Sequence, residues 1–347
     1  MKMKSSNTSS ILVIYTGGTI GMVKDQETGA LKPFNFDTLY EHLPTLKFIN
    51  TRIDNYCFDP VIDSSDMHPS HWQKMAQIIY ERYEEYDGFV VLHGSDTMSF
   101  TASALSFMLE NLNKPVIFTG SQLPLGMIRT DGRENFITAI EIAATNEDDT
   151  PVVPEVGIYF ENQLMRGNRT IKYNAENFEA FRSPNYPALA EVGVYIKFNH
   201  NYIRKPNFKK LKCRLNLDEN VAVLKLFPGM SQQYVSAILN IEGLRAVVLE
   251  TYGTGNALTD DWFINEIKSA TSRGIIILNV SQCQAGMVDM DKYQTGVMLK
   301  NAGAISGYDL TTEAAVTKLM HLLGNYPGSE QITSLLKKDL RGEMTIV

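Results

Sequence analysis

The chain has 347 residues, 44% apolar and 20% charged, which fits an ordinary globular protein of two domains or one large one. Its formal net charge of -7 excludes a generally basic face of the kind that binds nucleic acid. Three widely spaced cysteines, Cys57, Cys213 and Cys283, offer neither a disulfide framework nor a zinc spacing, so a reducing, cytoplasmic setting is expected.

Residues 1–9 read as a loose tail, because no apolar run of signal-peptide length follows "MKMKSSNTSS". No segment approaches the roughly 20 apolar residues that a membrane helix needs. "ILVIY" at 11–15 reads as a buried strand running into Thr16-Gly17-Gly18-Thr19. Trp72, Met75, Ala76, Ile79 and Tyr83 then recur at helical spacing behind Pro69, which suits the first turn of a helix. A strand at 89–92, a helix over "TASALSFMLENL", the strand "KPVIFTG", a helix over "RENFITAIEIAAT" and the strand "EVGIYF" follow. This alternation predicts an α/β fold with a mainly parallel sheet and helices on both faces.

The rhythm falters over 199–219, a polar and basic stretch with a proline, and this is the candidate linker. It resumes in "VAVLKLF", a helix at 231–240, "RAVVLETYG", "DDWFINEIKSATSRG" and "IIILNVSQ", and closes with helical patterns at 311–324 and 329–340. The expected domains are 10–198 and 220–347, the first larger than the second.

Ligands of open α/β sheets bind beyond the carboxyl ends of the strands. The residues there are hydroxyls and amides, with no metal-ligand cluster. "TGGTIG" lacks the Gly-Lys-Ser/Thr ending of a phosphate loop and the spacing of a dinucleotide loop. Two readings stay open for it: a turn capped by threonines, which the turn alone favours, or a nucleophile loop whose hydroxyl attacks a carbonyl. In "HGSDTM", Ser95 and Asp96 read either as helix caps or as parts of a proton relay, with Asp96 able to bind an ammonium group. His93 as a general base is the weaker reading beside a structural histidine. "DSSDM", Asp63 to Met67, is a capped turn or a loop offering hydroxyls to a carboxylate. "RGNRTIKYN" is a solvated loop, or places a desolvated lysine beside a hydroxyl to act as a base.

In this order, "YTGGTIGM", "LHGSDTM", "TASALSFMLENLNKPVIFTGSQLPL", "RGNRTIK", "YGTGNA" and "EAAVTKL" resemble the bacterial-type L-asparaginase family, most closely its cytosolic branch, over nearly the whole chain. The resemblance implies two α/β domains and hydrolysis of L-asparagine to L-aspartate and ammonia through an acyl-enzyme, with no metal or cofactor. It implies that Thr19 is the nucleophile, while Thr16 shapes the turn. Ser95, Asp96 and Lys172 would form the relay, with Asp96 also holding the substrate α-amino group. Asp63, Ser64 and Ser65 would hold its carboxylate. A homodimer or a dimer of dimers is expected. The rivals are a glutaminase, an amidotransferase subunit that supplies ammonia, and a non-catalytic amino-acid sensor.

Two departures carry expectations of their own. The family's lid tyrosine is absent, with Ala30 at the matching position, and Tyr308 is the candidate substitute on position alone. A candidate allosteric asparagine site would include Glu250, Thr251, Tyr252, Ser281, Gln282 and Cys283. Glu250 stands there where an arginine is expected, and Ile171 where a threonine is, which points to a non-sigmoidal response.

Overall fold

The computed structural model describes residues 8–24, 31–33 and 43–346. They divide into two compact units. The first runs to Ser183 and adds Pro187–Cys213; the second joins Pro184–Tyr186 to the chain from Arg214 onward. The stretch 199–219 is therefore shared between the units, divided after Cys213.

The first unit is built on strands β1 (Ser9–Tyr15), β2 (Thr51–Cys57), β3 (Gly88–Leu92), β4 (Val116–Thr119), β5 (Val156–Phe160), β6 (Gln163–Arg166), β7 (Ile171–Lys172), β8 (Phe181–Arg182), β9 (Ala190–Val192) and β10 (Ile196–Phe198). Eight of them form one sheet in the order β10-β9-β6-β5-β4-β3-β1-β2. The run from β2 to β5 is parallel. The extension through β6, β9 and β10 is antiparallel. Every residue of β3, "GFVVL", is buried, so both faces of the central strands are covered.

Among the described residues, this unit carries the helices α1 (Pro69–Glu81), α2 (Met98–Met108) and α3 (Gly132–Ala144). Pro69 sits in the first turn of α1, and His68 caps it. Helix α2 starts earlier and ends earlier than its apolar pattern predicts. Beyond Met108 the pair Leu109–Glu110 takes an antiparallel partner in Lys212–Cys213. Asn111 then adopts a left-handed φ of 66°, which asparagine tolerates better than most residues.

In the second unit β11 (Val221–Lys225), β12 (Ala246–Thr251), β13 (Ile276–Ser281) and β14 (Ile305–Ser306) form a parallel sheet in chain order. Helices α4 (Gln232–Leu239), α5 (Asp261–Ser272) and α6 (Gln294–Asn301) bury Val235, Phe263, Ile267 and Leu299 against Leu224, Leu249 and Ile277. Alternate strand residues such as Val248 and Leu278 are equally buried, as expected where α7 (Thr312–Asn325) packs on the same strands. Helix α8 (Ser329–Leu336) packs on α7. Among the described residues, no helix is long and apolar enough to cross a membrane.

Candidate active site

The carboxyl ends of β1, β3 and β4 place the turns after Tyr15, Leu92 and Thr119 at one edge of the large sheet. The turn after β1 is held by Thr16, whose backbone N–H and Oγ1 both donate to the Leu92 carbonyl at 3.0 Å. Ile62 N–H in turn donates to the Thr16 carbonyl at 2.7 Å. Thr16 is thus committed inside the sheet, while Thr19 lies half-buried beyond it.

The two glycines have a steric reason. Gly18 has a φ of 87°, and a Cβ there would lie 2.5 Å from Gly94 Cα. A Cβ on Gly17 would overlap the Ile62 carbonyl, and one on Gly94 would overlap the Ser64 side chain. Three loops therefore interlock by close approach at their glycines: 16–19, 62–65 and 93–96. Only glycine permits that approach.

Asp63 caps the turn Ser64–Asp66. Its Oδ1 accepts from Ser65 N–H at 2.9 Å and from Ser65 Oγ at 2.8 Å. Those two bonds hold the Asp63 carboxyl below its ordinary value. Ser64 is buried, and its carbonyl accepts from Thr97 Oγ1 at 2.6 Å. Thr97 therefore ties the 63–65 turn to the loop that carries Ser95 and Asp96, a role that the sequence did not signal.

Lys172 reaches this loop from β7. Its Nζ donates to Ser95 Oγ at 2.9 Å and to Asp96 Oδ1 at 2.6 Å. The short strand β7 pairs with β8, placing Lys172 opposite Phe181. Phe181 is buried and packs on Phe160 with ring centroids 4.9 Å apart. A pair of packed aromatics thus backs the short strand that carries the lysine. The Lys172 side chain is 19% exposed and that of Asp96 61%, so the carboxylate keeps a face open to a ligand.

His93 is fully buried and makes two hydrogen bonds. Nδ1 lies 2.6 Å from the Gly94 carbonyl and Nε2 lies 2.9 Å from Thr101 Oγ1. A carbonyl only accepts, so Nδ1 carries the proton and Nε2 accepts the Thr101 hydroxyl proton. The same hydroxyl oxygen accepts from Trp72 Nε1 at 3.0 Å. Burial pushes the His93 pKa down to about 4, against a smaller upward pull from Gly94. His93 is therefore a neutral strut beneath the loop. The general-base reading does not fit it.

Sequence reading also missed the mooring of the turn after β4. Asp131 accepts from Gln122 N–H at 2.9 Å and from Leu123 N–H at 3.1 Å. Asn135 donates to the Gly120 carbonyl at 3.0 Å and accepts from Glu161 N–H at 2.9 Å. The signal was the four-residue spacing of Asp131 and Asn135 at the start of α3, which places both on one helix face.

The six residues of the candidate allosteric site lie in the second unit, at the carboxyl ends of β12 and β13. Glu250 Oε1 accepts from Thr312 Oγ1 at 2.6 Å, and its Oε2 lies 3.5 Å from Lys225 Nζ. Thr251 donates to Asn279 Oδ1 at 2.6 Å. Gln282 Nε2 donates to the carbonyls of Leu226 and Glu250, and Ser281 Oγ donates to that of Gly253. Cys283 N–H donates to Ser281 Oγ at 3.0 Å. Tyr252 forms a bridge with Asn256. Tyr308 lines a cavity of about 520 Å³ in this unit with Asp289, Lys300, Thr333 and Lys337. Ala30 lies outside the described residues. No group of three metal-ligating side chains occurs among the described residues.

The arrangement is a hydroxyl on a tight turn, beside a hydroxyl–ammonium–carboxylate cluster. Known proteins are similar to this chain over nearly its whole length. The chain is 41% identical to L-asparaginase 1 of Escherichia coli K12, across 97% of this chain and 98% of that one. It is 42% identical to the human 60 kDa lysophospholipase across 96% of its own length, which is 61% of that protein. The crystal structure of L-asparaginase I from Vibrio cholerae superposes with a TM-score of 0.88 at 40% identity, covering 97% of this chain and 99% of that one. The N-terminal asparaginase family model matches residues 10–204, and the glutaminase/asparaginase C-terminal domain model matches 220–336. With both halves matched in order, the chain belongs to the asparaginase family.

Proposed function

We propose that this protein hydrolyses L-asparagine to L-aspartate and ammonia, with Thr19 as nucleophile. The observation that carries the reading is the placement of Lys172 on both Ser95 Oγ and Asp96 Oδ1. That cluster sits on a loop pressed against the Thr19 turn through Gly94 and Gly18.

Thr19 Oγ attacks the side-chain amide carbon of the substrate. Its proton passes through the Ser95–Lys172 pair to the departing nitrogen, which leaves as ammonia. Water then attacks the Thr19 ester and releases aspartate. Asp96, with its exposed face, holds the substrate α-ammonium. The 63–65 turn takes the α-carboxylate. Within it, Asp63 orders the turn through Ser65 and stands away from the anion, since two carboxylates in contact repel.

Asparagine and glutamine differ by one methylene, worth roughly 1–3 kcal/mol in a pocket, so glutamine turnover is the nearest rival. The protein acts in the cytoplasm as a homodimer or a dimer of dimers. The Glu250 region gives no cooperative response, because an anion already bonded to Thr312 and Lys225 repels a second carboxylate.

The test is ammonia release from L-asparagine and L-glutamine by wild type and Thr19→Ala. Hyperbolic release from asparagine that vanishes in the variant is expected. No release from either amide by folded wild-type protein overturns the hydrolase in favour of an amino-acid sensor.

A further inference from the structure

We infer that Gln122 is a positioning residue for Lys172, acting as a clasp between the turn after β4 and the loop that leaves β7. The inference rests on the catalytic reading of Lys172 given above.

The side chain of Gln122 reaches away from its own turn. Its Nε2 donates to the carbonyls of Ala175 at 3.2 Å and Asn177 at 2.9 Å. These carbonyls belong to the loop that joins β7 to β8, three and five residues after Lys172. The loop is ordered on its far side by Asn174, whose Oδ1 accepts from the N–H groups of Glu176 and Asn177 at 2.8 and 2.9 Å. Tyr173 and Asn174 N–H both donate to the Ala180 carbonyl.

A clasp needs a fixed end, and Gln122 has one. Its backbone N–H donates to both carboxylate oxygens of Asp131, at 3.1 and 2.9 Å. Asn135, one helical turn on, binds Gly120 and also approaches Asp131 at 3.3 Å. The load therefore passes from α3 through the Gln122 backbone and side chain to the loop carbonyls. Strand β7 has only two residues and a single antiparallel partner, so its own ladder is a weak anchor. Lys172 must meet two acceptors at once, at 2.9 and 2.6 Å. A loop that drifts by an ångström loses one of them.

The function of the two Nε2 bonds is thus geometric. Gln122→Leu removes both donors at similar size. Gln122→Glu keeps the shape but turns a donor into an anion facing two carbonyls. In both variants kcat for L-asparagine is expected to fall roughly tenfold to a hundredfold, with KM changed much less, while the folded structure persists.

The experiment is a kinetic double-mutant cycle of Gln122→Leu and Gln122→Glu with Lys172→Met, with thermal unfolding of each variant alongside. The expected result is a loss of kcat in the single Gln122 variants that disappears in the Lys172→Met background. Wild-type kcat in folded Gln122 variants overturns the clasp. So does a loss that persists undiminished beside Lys172→Met, because Gln122 then acts on something else. Full activity of Lys172→Met alone overturns the catalytic reading of Lys172, and the clasp with it.

Discussion

At the scale of single residues, the candidate site depends as much on missing atoms as on present ones. Gly18 combines a left-handed backbone with an approach to Gly94 Cα that leaves no room for a Cβ. Gly18→Ala meets backbone on the far side, which cannot rotate away as a side-chain tip could. The substitution should cost on the order of 2 kcal/mol or more in stability, and should push the 93–96 loop away from Thr19. Ammonia release from asparagine should fall further than the stability loss explains. Urea unfolding beside the kinetic assay tests this; an alanine variant with wild-type turnover would show that the contact between the two loops is dispensable. The doubled glycine and two threonines made this turn conspicuous in the sequence. What the sequence could not give was the partner of each glycine, since Ile62 and Gly94 are distant in the chain and come together only through the order of strands.

Between elements, the His93 chain joins β3 to α2 through Thr101 and to α1 through Trp72. Each proton in it has one direction, so only the neutral imidazole completes it. Free histidine titrates near 6.5, and His93 in the folded protein near 4. The folded pKa is the lower one, so the contribution to stability is intact above pH 6.5. It declines as the unfolded chain takes up the proton on the way down, and levels off below pH 4. The size is about 3 kcal/mol. His93→Gln should remove this segment of the pH dependence, leaving the difference in stability between variant and wild type smaller at pH 5 than at pH 7. Denaturant unfolding at the two values measures it, and a difference independent of pH would count against the assignment. Strand and helix alternation was readable here because apolar period and β-branched runs agree. The antiparallel extension through β6, β9 and β10 was not, for strands of three or four residues carry little period. Lys172 sits on a still shorter strand, so its place in the cluster came from the resemblance to a family and not from the pattern around it.

On the scale of the whole molecule, two compact units predict that a local defect stays in one of them. The second unit has a suitable point of failure. Lys318 of α7 and Glu343 are both fully buried, with Nζ and Oε1 2.6 Å apart. Lys318 also donates to the Lys338 carbonyl at 2.7 Å, and Glu343 accepts from Leu340 and Arg341 N–H. Burial opposes the charge on Glu343, but the adjacent Lys318 ammonium, with smaller help from Asp339 and the Arg341 N–H, brings its pKa down to about 2. Its contribution is therefore present above the ordinary carboxylate range and fades as the pH falls from about 4.5 toward 2. Lys318→Met leaves a buried carboxylate without its cation, a change that costs about 3–5 kcal/mol. The amides of α7 and β11 to β13 should lose hydrogen-exchange protection by that amount, while those of β1 and β3 keep theirs. Equal loss in both units would mean that they unfold as one body, and that the ion pair stabilises the whole chain rather than its second half.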